Sequence, residues 1–136
     1  MKNIDLRAIL WGCVADIGGT TLFSFAFGLV ATIRATLKEI DPESFNQAII
    51  GWSGTIHGML FSLFFGLFFT GFGGYVAARF AKIGALSNSA FVGSVGIIFS
   101  LFFIHSTPIM ITIAALVLSI PIAMIGGFCH TNSWKW

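Results

Sequence analysis

One acidic residue, Asp16, lies inside a long apolar stretch of this sequence, and its side chain is the one there most able to bind a proton or a cation. It follows the start of the stretch by about nine residues, which is about 14 Å along a helix. An ionised carboxylate near the centre of a bilayer is costly, so we expect Asp16 to face other helices and to be paired or protonated. Asp16 therefore has two possible roles. It binds a proton or a cation, or it is a structural carboxyl group hydrogen-bonded to another helix.

Hydroxyl groups are the partners available to Asp16, because the apolar stretches hold no second carboxylate and no lysine. These hydroxyls belong to Thr20, Ser24, Ser62, Thr70 and Ser119. A proton relay normally uses several titratable groups, so the pattern leaves both the transport role and the structural role open.

Two small groups of possible metal ligands occur, and neither has a ligand-spacing motif. His57 and His105 fall toward one end of their apolar stretches, but a two-histidine haem also needs both rings at equal depth on facing helices. Cys13, Cys129 and His130 fall toward the other end without the short spacing of a metal site. The sequence therefore predicts no metal and no cofactor, with the histidines hydrogen-bonded at the membrane interface.

Catalytic motifs are missing from the sequence. Ser, His and Asp all occur, but there is no nucleophile motif, no phosphate-binding loop after a strand and no HExxH. The hydrophilic segments are also too short to form a catalytic domain. We therefore do not expect an enzyme.

Composition indicates a membrane protein. The 136 residues are 57% hydrophobic and 9% charged, with a mean hydropathy of +0.95, whereas soluble domains carry roughly 25% charged residues. So few charges cannot cover a water-facing surface. A formal net charge of +2 with no basic cluster also argues against nucleic acid as a partner.

Four apolar runs approach the length of about 20 residues that a spanning helix needs. They cover about 7–32, 52–78, 88–104 and 108–128. Only three residues separate the third run from Pro108, so the last two helices should be antiparallel neighbours. We predict an all-α, antiparallel four-helix bundle, with residues 1–136 forming a single transmembrane domain.

The distribution of basic residues predicts that both termini are cytoplasmic. The inner side would hold Lys2, Arg7, Arg79, Lys82 and Lys135, and the outer side Arg34 and Lys38. Arg79 and Lys82 close the second run, where they anchor the helix or, alternatively, bind anionic lipid head groups.

The outer segment, about 33–51, contains a helix start. Asp41-Pro42-Glu43 combines an N-capping residue, proline at the first helical position and an acidic first turn. This helix either lies on the membrane surface or extends the second span straight outward. We favour the extension, since no Gly or Pro interrupts the chain before Gly51.

Small residues recur at every fourth position of the first two spans. In the first span they are Ala8, Gly12, Asp16, Thr20, Ser24, Gly28 and Thr32, and in the second Gly54, Gly58, Ser62, Gly66, Thr70 and Gly74. Residues four apart form a ridge on a helix, and small side chains let membrane helices approach closely. We interpret these small-residue rows as faces for helix packing, or as the lining of a narrow pore between several copies.

The piece GFGGYVAARFAKIGAL, residues 71–86, resembles a segment of small uncharacterised bacterial membrane proteins. They are similar in having four predicted helices and a G-G-Y-x-A-A-R stretch where the second helix meets the cytoplasm. The resemblance covers about a quarter of the chain. It implies a multi-pass protein of the bacterial inner membrane and assigns no active-site residue.

Two functions follow from these patterns, and a third, an enzyme or redox subunit, would rest only on His57 and His105. The first is a scaffold that associates with itself or with a larger membrane complex through its small-residue faces. The second is an oligomeric small channel, or a proton- or ion-coupled carrier, that uses Asp16.

Overall fold

The computed structural model describes residues 4–102 and 108–133, and it folds them into helices. The helices are α1 (Leu6–Leu37), α2 (Pro42–Ser53), α3 (Ile56–Phe80), α4 (Ala85–Phe102) and α5 (Ile109–Ser133). The described ranges contain no β-strand. The predicted all-α class is confirmed.

Three of the helices, α1, α3 and α5, are long and apolar enough to cross a membrane. They correspond to the first, second and fourth predicted spans. The third predicted span corresponds to α4, which is apolar but shorter, with 18 residues. By helix length and composition, the chain is a multi-pass membrane protein.

Helix α3 is the central helix, because it packs against α1, α4 and α5. Its contacts with α1 run in reverse order: Gly12 lies against Gly73, and the Phe23 ring stacks on Phe65 with centroids 4.1 Å apart. These two helices are therefore antiparallel. We call the end where α1 stops and α3 starts the α2 end, and the opposite end the terminal end.

The start of α1 is tied to the start of α4 by a buried asparagine. Asn88 is fully buried, and its Oδ1 accepts a hydrogen bond from the Asp5 backbone N–H at 2.8 Å. Its Nδ2 donates to the carbonyl oxygens of Ile83 and Gly84 at 2.9 and 3.0 Å. Asp5 in turn caps α1 by accepting hydrogen bonds from the first backbone N–H groups.

The helix is interrupted between α2 and α3, so the prediction that we favoured, a straight extension of the second span, is wrong. Gly54 caps the end of α2, and the Thr55 hydroxyl then caps α3 by accepting a hydrogen bond from the Gly58 N–H at 3.2 Å. A Cβ at Gly58 would collide with the Trp52 carbonyl oxygen. The hydroxyl of Thr55 and the missing side chain of Gly58 together allow the helix axis to turn here.

The buried side chains are small. The buried apolar residues are Ala8, Ala35, Ala77, Ala78, Val92 and Ala123, and most Leu, Ile and Phe side chains are exposed. Such an arrangement would be unfavourable in water. It suits a bilayer, because lipid tails solvate large apolar side chains while small ones let backbones pack closely.

Backbone contact is closest at a cluster of glycines in the terminal half, which we call the glycine seam. It consists of Gly12, Gly73, Gly74, Gly93 and Gly126. A Cβ at Gly12 would lie 2.8 Å from the Gly73 oxygen, and one at Gly74 would collide with the Ala123 carbonyl. A Cβ at Gly93 would lie 2.8 Å from the Ile120 Cα. The seam therefore joins α1, α3, α4 and α5 at distances that only glycine permits.

The small-residue rows do not continue this packing to the α2 end. Gly28 and Gly66 have no neighbouring atom within 4 Å of a built Cβ, and Ser24 and Ser62 are exposed. The reason is geometric: each four-residue step advances about 40° around a helix of 3.6 residues per turn. A row of six or seven members therefore spirals away from any one neighbouring helix.

Aromatic rings hold α1 and α3 together at the α2 end, where the small-residue rows do not. Phe23 and Phe27 of α1 interleave with Phe61, Phe65 and Phe69 of α3, with centroid distances from 4.1 to 6.2 Å. The Trp52 indole adds to this cluster through Phe27 and Phe61. The interface thus changes from glycine contact to ring stacking along its length.

Substitution of a glycine in the seam and of a glycine in the unpacked part of a small-residue row should have different effects on stability. We expect Gly74→Ala to lower the free energy of unfolding by about 3 kcal/mol or more, because its Cβ meets backbone that cannot retreat. Gly28→Ala should be neutral or should add up to about 1 kcal/mol through helix propensity. SDS-induced unfolding in mixed micelles measures both, and equal effects would contradict the seam.

The start of α2 should depend on pH through Asp41. Hydrogen bonds from Ser44, from its side chain and then its backbone, hold the pKa of Asp41 below the ordinary value of 3.8. A lowered pKa stabilises the helix start at neutral pH, and that stabilisation is lost as the pH falls below about 4 toward the lowered value. We expect the Cα chemical shifts of Glu43 and Ser44 to lose helical character there.

Asp41→Asn is the matched variant, because asparagine caps a helix equally well but does not titrate in this range. Its α2 should stay unchanged between neutral and acid pH. If the variant lost helical shifts over the same range as the wild type, Asp41 would not be the responsible group.

Candidate functional site

A cavity of about 930 Å³ lies between α1, α3, α4 and α5 in the half of the molecule toward α2. Its lining begins beside Ile50 and Ser53 of α2 and ends at Cys13, Asp16, Thr70 and Ser119. The glycine seam lies directly beyond that end, since Gly73 contacts Asp16. Asp16 therefore stands at the deep end of the cavity.

The Asp16 carboxyl group is buried, with 8% of the residue exposed, and its hydrogen-bond partner is on another helix. The Thr70 hydroxyl of α3 lies 3.3 Å from its Oδ1 and 3.2 Å from its Oδ2. The residue thus faces its helix neighbours, with a hydroxyl rather than a charged group beside it.

Glycines of α3 and α4 lie beside the Asp16 side chain. A Cβ at Gly73 of α3 would lie 2.8 Å from the Asp16 Cβ. A Cβ at Gly96 of α4 would lie 3.8 Å from Oδ2 of Asp16 and 4.0 Å from the Thr70 Oγ1. The contact at Gly73 therefore requires glycine, whereas the distances at Gly96 are ordinary van der Waals contacts that a methyl group could also make.

The Thr70 hydroxyl has a second acceptor within reach and a single proton to donate. Its oxygen lies 3.1 Å from the Gly66 carbonyl oxygen as well as near both Asp16 oxygens. With Asp16 ionised, Thr70 donates to the carboxylate. With Asp16 protonated, the acid donates to Thr70 and the Thr70 proton turns to Gly66. The pair can therefore accommodate either protonation state without moving a helix.

Five of the other hydroxyls along the cavity donate to carbonyl oxygens three or four residues earlier in the chain. These bonds are Thr21 to Ile17, Ser53 to Ile50, Ser100 to Gly96, Thr112 to Pro108 and Ser119 to Ala115, at 2.6 to 3.3 Å. A hydroxyl whose proton is committed in this way has only its lone pairs left to offer. The polar part of the wall is therefore mainly a hydrogen-bond acceptor.

The cavity lining contains one acid and no basic side chain. Among the described residues that line it, Asp16 and Cys13 are the titratable ones, and none is Lys, Arg or His. Acceptor oxygens and an uncompensated carboxylate make the site electronegative. It suits a proton or a cation and disfavours an anion.

The predicted hydroxyl partners of Asp16 separate into two groups. Thr20, Ser62, Thr70 and Ser119 line the cavity, and Thr70 alone of them hydrogen-bonds the carboxyl group directly. Ser24 is exposed outside the cavity and donates to the Thr20 carbonyl oxygen. The hydroxyls are thus spread along the wall instead of forming a relay at Asp16.

The remaining members of the small-residue rows take three different positions. Gly12, Gly58 and Gly74 are buried in helix contacts, Gly54 and Gly66 line the cavity, and Gly28 lies outside both. Toward the α2 end, the small-residue row of α3 no longer faces a packed helix. Its small side chains there border the cavity instead of filling it.

The histidine and cysteine candidates do not form a common site. His57 is exposed at the start of α3 and does not line the cavity, and His105 lies outside the described residues. Cys13 lines the cavity, whereas Cys129 is an exposed free thiol on α5. The His130 ring meets Tyr75 edge-on at 5.3 Å. Within ranges 4–102 and 108–133, no three His, Cys, Asp or Glu side chains are grouped as metal ligands.

The two basic lipid-binding candidates lie at the terminal end, away from the cavity. Arg79 is in the last turn of α3, Lys82 follows that helix, and both are exposed. Neither contributes to the electrostatics of Asp16.

Sequence reasoning missed the residues that shape the cavity around Asp16. Gly96 and Thr112 line it from α4 and α5, and Ile50 and Ser53 line it from α2. The pairing of Gly96 with Ser100, four residues later, was the available signal. The sequence left open whether α2 turns away from the second span, and it did not indicate that the end of α2 would line a cavity.

Comparison with protein-family models, with curated proteins and with the solved structures finds no match to this chain. The site must therefore be interpreted from its own chemistry.

A double-mutant cycle should detect the hydrogen bond between Asp16 and Thr70. We expect Thr70→Val and Asp16→Ala to be coupled by about 0.6–1.7 kcal/mol in the free energy of unfolding, the range of hydrogen bonds between membrane helices. The same cycle with Ser62→Ala in place of Thr70→Val should be additive, because Ser62 lies along the same cavity with no bond to the acid. Additivity in both cycles would contradict the bond.

Proposed function

We propose that this protein is a carrier in which Asp16 binds a proton or a monovalent cation. The observation that supports this is the position of Asp16, at the deep end of an open cavity, with a neutral hydroxyl as its partner. A purely structural carboxyl group needs no cavity beside it. A binding site for an exchangeable proton or cation does.

The closed terminal half favours a carrier over a pore through one chain. The cavity stops at the glycine seam, where backbones of α1, α3, α4 and α5 leave no room even for a methyl group. A binding site that ends at a closed helix contact is what one state of alternating access requires. Pro121 lies two residues beyond Ser119, inside α5, and interrupts that helix's hydrogen bonding at the level where the cavity ends.

We propose that α1, α3, α4 and α5 all cross the membrane, with both termini cytoplasmic. The 18 residues of α4 measure about 27 Å, close to the hydrocarbon thickness of about 30 Å. The excess of Lys and Arg at the terminal end supports the orientation. The resemblance of residues 71–86 to small bacterial membrane proteins supports the inner membrane as the location, with Arg79 and Lys82 at its anionic lipid head groups.

Loss of the Asp16 acid should abolish transport. In liposomes with an imposed pH gradient, we expect cation-dependent proton flux from the wild type and at least about tenfold less from Asp16→Asn. Glu43→Gln, which removes an exposed acid of α2 outside the cavity, should keep the wild-type flux. Infrared spectroscopy should show a protonated carboxyl band that titrates in the wild type and is missing in Asp16→Asn. Wild-type flux in Asp16→Asn would refute the carrier.

The second candidate is a scaffold that associates through the small-residue face left open on α1. Gly28 and the exposed Ser24 lie on that face without a neighbouring helix. Native mass determination in mild detergent distinguishes the candidates. A stable oligomer that Gly28→Leu dissociates, with no flux, would favour the scaffold, and so would co-purification with a larger complex. A monomer with Asp16-dependent flux would favour the carrier.

A further inference from the structure

We propose that the cavity binds a hydrophobic organic cation with a single positive charge, such as a quaternary phosphonium or ammonium compound. This inference rests on the proposed function and names its substrate class. It follows from the volume of the cavity, the apolar character of most of its wall and the single carboxylate at its deep end.

The volume is too large for a metal ion and suits an organic molecule. Sites for drug-sized ligands measure about 300–1,000 Å³, and this cavity of about 930 Å³ lies near the upper end of that range. A bare alkali cation would instead need several oxygens converging on one small site. Here the hydroxyls are distributed along the wall, from Ser53 beside α2 to Ser119 at the end toward the glycine seam.

The wall is mostly apolar. Large side chains from four helices contribute to it, including Ile17, Leu63, Leu67, Val95, Phe99 and Ile111. A hydrated ion gains nothing from such a surface, whereas an organic body is desolvated favourably against it. Phe99 also offers an aromatic face to a cation, which is a further weak attraction.

The charges restrict the ligand to one positive charge. Asp16 is the sole carboxylate among the described lining residues, and no Lys, Arg or His faces it from α1, α3, α4 or α5. Cys13 on the same helix is the other titratable side chain of the lining. A monovalent cation neutralises the ionised carboxylate, and a proton does the same. Ligand and proton should therefore compete for Asp16.

Tetraphenylphosphonium is a suitable probe, and tetraphenylborate is its control of the same shape with the opposite charge. We expect saturable binding of one phosphonium per chain in detergent by equilibrium dialysis, weakening as the pH falls. Tetraphenylborate should not bind saturably. Asp16→Asn should weaken phosphonium binding at least about tenfold, the effect of one lost charge contact.

Filling the cavity provides a second variant that keeps the carboxylate. The space around a Cβ at Gly66 is empty to 4 Å, and Gly66 lines the cavity, so the side chain of Gly66→Leu should enter it and abolish phosphonium binding. Gly28→Leu is the matched control, because its surroundings are equally empty but lie outside the cavity. It should bind as the wild type does.

The outcomes separate this inference from the function on which it rests. If Asp16 titrates and supports flux while phosphonium shows no saturable binding, the organic substrate is wrong and the carrier stands. If phosphonium and borate bind alike, or if Gly66→Leu binds normally, the cavity is not the site and the inference is overturned. If neither phosphonium binding nor Asp16-dependent flux occurs, both proposals fail.

Discussion

The approach of four helix backbones at the glycine seam is the constraint on which the rest of the structure depends. Gly74 lies against the Ala123 backbone, and Gly12 against Gly73, so α1, α3 and α5 meet without intervening side chains. In lipid there is no hydrophobic force to hold helices together, and dispersion and polar contacts between close backbones must do so. The buried Ser89 hydroxyl, 2.8 Å from the Gly74 carbonyl oxygen, adds one such polar contact at the same level.

The cavity is a consequence of that constraint. Helices held together at the terminal half separate toward the α2 end, where rings replace glycines between α1 and α3. The Phe23 and Phe65 rings keep those two backbones apart, and the side chains that α4 and α5 turn toward the gap, Phe99 and Ile111 included, do not fill it. Space therefore opens on the side away from the rings, and Asp16 lies where the separation begins.

Apolar runs were enough to predict the helices, and the interior position of Asp16 followed from the cost of exposing its charge to lipid. The cavity could not be predicted. A row of small residues spaced four apart does not show at which position it stops facing the neighbouring helix. Gly66 and Gly74 belong to one row and look alike in sequence, yet one borders open space and the other touches backbone. The turn before α3 could not be predicted either. It depends on Thr55 capping the start of α3, whereas apolar character alone predicts a helix that continues through this position.

The Thr70 hydroxyl can donate to the Asp16 carboxylate or to the Gly66 carbonyl oxygen, and this links the acid to the backbone of α3. A threonine that bonds back to the carbonyl four residues earlier tends to bend its helix, and here that carbonyl belongs to Gly66. The Asp16 carboxylate and the Gly66 carbonyl oxygen compete for the single Thr70 hydroxyl proton, so ionisation of Asp16 weakens that backbone bond and protonation strengthens it. Since α3 packs against α1, α4 and α5, the bond that responds to the acid lies in the one helix that all three of these helices contact.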